Sequence, residues 1–293
     1  MQKFNDKPIG LIDSGVGGLT VLKQLIRKFP DERFVYYGDT LHLPYGPRLL
    51  REVRGFTFKI ITFLLDKRDV RMVVIACNTA SSAALSQARK FFKIPIFGTV
   101  GPAVNKAVQV SSKGRIGVIG TEGTVNSQVY QQALLKKDNS YEVFSAACPG
   151  FVDMVEEGIV RGPIVVGMAQ KYLEGLKQTG IDTLILGCTH FPYLKPVIRL
   201  VMGKKIALID PAEELAEALE NKFNKDIIKE RNVYDNYFRG GEREYPAKIL
   251  GKDMEAQFKF IVSNKNKISD LLWQSDFVIA KEIPNLTEIN IFR

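Results

Sequence analysis

The sequence predicts an α/β protein of two similar, pseudo-symmetric lobes, each with a parallel sheet, whose strand tips face one shared cleft. Three observations predict it. Short apolar runs alternate with stretches of helical spacing over most of the chain. The whole series restarts after about a hundred residues. Each half also holds a strand that ends in a cysteine: Val73-Val74-Ile75-Ala76-Cys77-Asn78-Thr79 in the first and Leu184-Ile185-Leu186-Gly187-Cys188-Thr189-His190 in the second. Continuous apolar runs of this length read as strands covered on both faces, which is the mark of parallel sheets. Alternating βα units of that kind close through right-handed crossovers.

In chain order, residues 9–13 read as a buried strand and Ser14-Gly15-Val16-Gly17-Gly18 as a loop. Residues 19–29 have helical spacing, and Pro30 ends them because proline cannot continue the ladder. A strand at 33–37 runs into Gly38-Asp39-Thr40, and a loop at 41–47 carries Pro44-Tyr45-Gly46. Residues 48–66 predict a helix, with Val53, Phe56, Ile60, Phe63 and Leu64 on one face. The Cys77 strand, a helix at 79–91 and a short strand at 95–97 close the first series. The second repeats it: a strand at 115–121, a helix at 124–135, a strand at 141–146, a helix at 163–179, the Cys188 strand, a helix at 191–202 and a strand at 206–209. Pro102-Ala103 recurs as Pro211-Ala212. From 211 the chain is helical, with Leu215, Leu219 and Phe223 on one stripe. Residues 258–272 predict a helix packing back on the first lobe, and 276–293 a strand or an irregular extension.

The 293 residues leave room for two domains at roughly 100–200 residues each. A hydrophobic fraction of 45% and a charged fraction of 25% fit a globular chain. No apolar run reaches the roughly 18 residues that span a membrane, and the polar opening residues are not those of a signal peptide. Three cysteines predict reduced thiols and a cytoplasmic setting rather than a disulfide framework. The net charge of +9 is interspersed with acid between residues 222 and 267, and no arginine-rich arm or zinc-finger spacing occurs, so nucleic acid is not needed to explain it.

A thiol at a strand's C-terminal tip stands where α/β proteins bind ligands, and a helix N-terminus there favours thiolate. Two such thiols across one cleft suit the inversion of a carbon acid: one removes a proton from one face while the other delivers one to the opposite face. Their ordinary pKa of about 8.5 keeps some thiolate accessible near neutrality. Cys148, followed by Pro149-Gly150, reads instead as a small buried hydrophobe. A metal site at Cys188-x-His190 lacks the paired CxxC ligands of structural zinc. A cysteine hydrolase would leave the second, mirrored cysteine unexplained. The glycine loop at 15–18 is not GxGxxG, which weighs against a nucleotide-binding module.

The ordered set Asp13-Ser14-Gly15-Val16-Gly17-Gly18, Gly38-Asp39-Thr40, Pro44-Tyr45-Gly46, Cys77-Asn78-Thr79, Gly120-Thr121, Val155-Glu156-Glu157-Gly158 and Cys188-Thr189-His190 resembles the glutamate racemase family, in register over residues 9–211. The resemblance implies two flavodoxin-like lobes, residues 1–97 with 210–293 and residues 98–209. It implies a cofactor-independent isomerase, with no metal, that interconverts L- and D-glutamate for peptidoglycan synthesis in the cytoplasm, as a homodimer. Catalytic residues would be Cys77 and Cys188, assisted by Asp13, Glu156 and His190, with Asp39 an auxiliary on the first side. Asp13, Ser14, Tyr45, Gly46, Asn78, Thr79, Thr121, Thr189 and His190 would hold the substrate. Two features depart from the family pattern: the loop Leu41-His42-Leu43, and a chain end beyond Lys252 longer than usual. The alternative enzyme reading is an aspartate or other amino-acid racemase of the same superfamily.

Overall fold

In the computed structural model, residues 7–235, Phe258–Val262 and Leu286–Glu288 are described, with side chains through residue 223. The first βα series comprises β1 (Ile9–Asp13), α1 (Leu19–Lys28), β2 (Phe34–Gly38), α2 (Leu50–Arg68), β3 (Met72–Ile75), α3 (Asn78–Phe91) and β4 (Ile96–Gly98). After α4 (Val100–Val110), the second comprises β5 (Arg115–Gly120), α5 (Glu122–Asn126), α6 (Val129–Leu135), β6 (Glu142–Ala147), α7 (Pro149–Glu156), α8 (Pro163–Gln178), β7 (Thr183–Gly187), α9 (Lys195–Met202) and β8 (Ala207–Ile209). Then follow α10 (Pro211–Asp235), β9 (Phe258–Val262) and β10 (Leu286–Glu288).

The predicted α/β architecture of two lobes is present. One sheet has the order β10-β9-β2-β1-β3-β4 and the other β6-β5-β7-β8, so the order 2-1-3-4 of the first series recurs in the second. Every pairing is parallel. The apolar runs are continuous because successive residues feed different faces. In β1, Ile9 and Leu11 enter one core while Ile12 enters another. In β7, Leu184 and Leu186 face one core and Ile185 the other. Each such buried aliphatic side chain contributes about 1.5–3 kcal/mol. The core behind β1 and β7 is continuous between the lobes: Leu11, Leu22 and Val74 belong to the same cluster as Leu186, Phe191 and Leu215. The stripe predicted on α10 buries Leu215 and Leu219, and α10 packs on both α1 and α4.

Four expectations are corrected. The helix expected over 124–135 is two helices, broken where Gln128 turns left-handed at φ 54°. The helix over 191–202 opens as a 3₁₀ turn, Phe191–Leu194, because Pro192 and Pro196 lack the N–H that a continuous ladder needs. Two helices stand where the sequence assigned none: α4, which links β4 of one sheet to β5 of the other, and α7, which opens the β6–β7 crossover. Within 258–272, Phe258–Val262 is a strand beside β2 rather than helix; an unpaired β2 edge would expose a row of backbone donors and acceptors. The rest of that stretch, and the tail apart from Leu286–Glu288, lies outside the described residues. No helix among the described residues is long and apolar enough to cross a membrane.

Candidate active site

In each sheet the strand order reverses between β1 and β3, and between β5 and β7, and the crevice at such a switch point is where open α/β sheets bind ligands. The four strand tips at these two points carry Asp13-Ser14, Cys77, Thr121 and Cys188.

Cys77 is the N-cap of α3, its Sγ accepting from the Ala80 backbone N–H at 3.5 Å. Its thiol donates toward Ser14 Oγ at 3.9 Å. Burial pushes the Cys77 thiol up to about 12 and the nearby Asp13 carboxylate adds to the rise, outweighing the Ala80 N–H and Ser14. The helix N-terminus therefore does not by itself produce thiolate at Cys77. Asp13 is fully buried, and burial raises its carboxyl above 3.8 against the pull of His190 and the Gly15 and Gly18 N–H groups.

Cys188 follows β7 but does not begin an α-helix; a turn and the 3₁₀ segment intervene before α9. Its Sγ lies 3.7 Å from His190 Nδ1, and His190 Nε2 lies 2.5 Å from Glu156 Oε1 at the end of α7. Burial alone would lower the imidazole; its hydrogen bonds to Cys188 and Glu156 outweigh that and hold it well above 6.5. A protonated His190 between a carboxylate and a thiol is a ready counter-ion for negative sulfur.

The lobes grip each other at these tips. Thr79 Oγ1 is 2.8 Å from Thr121 Oγ1 and 3.2 Å from Thr124 Oγ1. Reciprocally, Thr189 Oγ1 donates to Asp13 Oδ1 at 3.4 Å, and Thr20 Oγ1 to the Thr189 carbonyl at 3.1 Å. Gly123 N–H donates to the Gly46 carbonyl at 2.8 Å. Gly17 permits the approach: a Cβ there would stand 2.6 Å from Thr189 Oγ1 and from His190 Cε1.

The cleft between the lobes has a volume of about 650 Å³ including its open mouth, within the range of small-molecule sites. Of the residues singled out from sequence, Ser14, Tyr45, Gly46, Cys77, Asn78, Thr79, Thr121, Cys188, Thr189 and His190 line it. Asp13 and Glu156 stand behind the lining, touching Thr189 and His190. Glu157 is exposed, so Glu156 is the carboxylate on the cleft side. Tyr45 turns its hydroxyl away to Asp39 Oδ2 at 2.6 Å, and the unusual His42 bonds the same carboxylate at 2.9 Å while stacking on Phe56. Cys148 is buried, as expected of a core thiol. The rest of the apolar wall beside Pro44, namely Leu43, Pro47, Pro149 and Val152, and the rim acids Glu122 and Asp153, were not picked out as site residues from sequence. Proximity to Pro44-Tyr45-Gly46 was the available signal for Leu43 and Pro47, and Pro149 opening α7 the signal for the opposite wall. No lysine or arginine is among the described lining residues.

Two lobes of this topology, with thiols at corresponding strand tips lining one cleft, place the molecule in a class of two-lobed α/β isomerases. The chain belongs to the Asp/Glu/hydantoin racemase family, whose model matches residues 9–219; it is an isomerase of that family. It is 46% identical over 232 residues to the glutamate racemase of Corynebacterium diphtheriae, covering 79% of this chain and 84% of that one. It is 47% identical over 215 residues to the glutamate racemase of Bacillus cereus, covering 73% and 79%. Among solved structures it resembles glutamate racemase isoform RacE1 of Bacillus anthracis (TM-score 0.80, 32% identity, 97% of both chains covered). It equally resembles the Francisella tularensis glutamate racemase in complex with D-glutamate (TM-score 0.80, 30% identity, 98% of both chains).

Proposed function

We propose that this chain interconverts L- and D-glutamate without a cofactor, by proton transfer between Cys77 and Cys188. The observation that carries the reading is the pair of thiols at corresponding strand tips, lining one cleft from the two lobes. The thiolate on one wall takes the Cα proton. The resulting carbanion, planar at Cα, accepts a proton from the thiol on the other wall, which leaves that sulfur as the new anion. Cys77 serves as base toward D-glutamate and Cys188 toward L-glutamate. Burial holds Cys77 as thiol, ready as acid, while protonated His190 offsets charge beside Cys188. Asp13 and Ser14 attend the ammonium group and the first thiol, and Glu156 holds His190. Ser14, Tyr45-Gly46, Asn78, Thr79, Thr121, Thr189 and His190 hold the substrate. With no lysine or arginine among the described lining residues, the carboxylates rely on hydroxyl, amide and backbone donors, on His190 and on the N-terminus of α3.

The wider reading, implied by the family resemblance, is a cytoplasmic homodimer that supplies D-glutamate for peptidoglycan, with lobes 1–97 plus 210–293 and 98–209. The test is a chiral-separation assay of purified protein with L-glutamate and no added cofactor. D-glutamate should accumulate to a racemic mixture, with and without chelator. Aspartate should turn over far more slowly, because each donor left unpaired by the shorter chain costs about 1–3 kcal/mol. Loss of activity on chelation, restored by a metal, or equal turnover of aspartate, would overturn the reading.

A further inference from the structure

Asn78, the residue after Cys77, lines the cleft yet is only 3% exposed. Its Oδ1 accepts two hydrogen bonds, from Thr99 Oγ1 at 2.9 Å and from the Tyr130 hydroxyl at 2.5 Å. Thr99 lies between β4 and α4 and is fully buried; Tyr130 lies on α6 of the second lobe and is 2% exposed. The two hydroxyls also bond each other, so Thr99, Tyr130 and Asn78 Oδ1 form one buried network in which the amide oxygen is the acceptor. The amide can then present only its NH₂ group to the cleft. The ring of Tyr130 reaches the opposite wall as well: a Cβ on Gly187 would stand 3.2 Å from Tyr130 Cε2, so the ring occupies the space beside the residue preceding Cys188.

We propose that Tyr130 is a positioning residue that ties the two thiol loops together, its hydroxyl fixing the Asn78 amide as a donor to a substrate carboxylate and its ring bracing the Gly187-Cys188 turn. This rests on the glutamate racemase reading above. An amide released from that network can turn its oxygen toward the carboxylate and repel it. Tyr130→Phe keeps the ring and removes only the hydroxyl, so the loss falls on binding that is shared by substrate and transition state. That pattern raises KM and leaves kcat nearly unchanged.

The experiment measures KM and kcat for both enantiomers in wild type, Tyr130→Phe, Asn78→Ala and the double variant. Tyr130→Phe should raise KM about tenfold for each enantiomer, as expected for loss of one oriented contact to a charged group. In the Asn78→Ala background the same change should leave KM unaltered, because the amide it orients is gone. If Tyr130→Phe does not fold, Thr99→Val carries the same test, with Thr99→Ser expected to restore KM. An unchanged KM in Tyr130→Phe, or an equal rise with and without Asn78, overturns the proposal while leaving glutamate racemisation standing. A wild type that does not turn over glutamate overturns both.

Discussion

Cys77 and Cys188 occupy corresponding strand tips in two lobes of the same topology, and their surroundings differ in almost every respect. Cys77 caps a helix, lies beside buried Asp13 and the Ser14 hydroxyl, and its thiol is pushed up to about 12 by burial. Cys188 precedes a 3₁₀ turn and lies against His190, which Glu156 grips from behind. A repeated fold thus supplies the position of a functional group twice, while the charge around it is set by residues the repeat does not copy. A reaction that runs both ways between mirror-image substrates does not require mirror-image electrostatics. Its equilibrium constant is unity, so kcat/KM must be equal in the two directions whatever the two walls are made of. The difference between the walls shows only in steps that involve one thiol at a time.

The strongest way to break the comparison is to remove one thiol. Cys77→Ser and Cys188→Ser should each lower racemisation by about 10²–10⁴-fold in both directions, the range a positioned acid or base contributes. Exchange of the Cα proton in D₂O, followed by proton NMR, should survive on one side only: L-glutamate in Cys77→Ser and D-glutamate in Cys188→Ser. Equal exchange of both enantiomers in both variants would mean that a single base serves both faces.

A smaller effect probes the Cys188 wall alone. Glu156 helps hold His190 well above 6.5, so Glu156→Gln should return the imidazole toward its ordinary range. The positive neighbour of Cys188 would then be lost as pH rises through about 6–7. In a Cys77→Ser background, L-glutamate exchange should fall about tenfold between pH 6 and 8 when Glu156→Gln is added. D-glutamate exchange in a Cys188→Ser background should not respond to the same change. A matching pH-dependent fall on the D side would show that the two walls are electrostatically one site.

The smallest effect sharpens the Cys77 side. Its folded pKa of about 12 lies well above the ordinary thiol range of about 8.5–9. A raised pKa stabilises the fold fully below the unfolded value and is lost progressively as pH climbs from about 9 to 12. Urea unfolding at pH 8 and pH 10 should therefore show wild type losing about 1 kcal/mol more than Cys77→Ser over that interval. Parallel losses would place the thiol in a far more polar setting than its burial indicates.

The strands, the repeat and both thiols were legible because each is a local pattern: β-branched runs, proline and glycine punctuation, a cysteine at a run's end. Glu156 could be nominated only by motif, and its contact with His190 joins residues from two different βα units. Thr99 and Tyr130 carried no signal, since a threonine before a helix and a tyrosine within one are ordinary until the lobes meet. Gln128 broke an expected helix by adopting a left-handed backbone that glutamine rarely takes. The strand β9 was misread as helix because its pairing partner, β2, lies more than 200 residues earlier, and strand formation depends on that partner more than on local preference.

That distant pairing bears on how the chain acquires its structure. The sheet β6-β5-β7-β8 is assembled wholly from residues 115–209, so all its strand pairings are made within one continuous stretch. The other sheet leaves β2 as a bare margin until Phe258–Val262 arrives, long after its neighbours have emerged from the ribosome. Closing so long a loop is entropically costly, and non-local strand pairing is slow. Truncation ahead of residue 258 would therefore leave an adhesive strand edge where the full chain has a paired one.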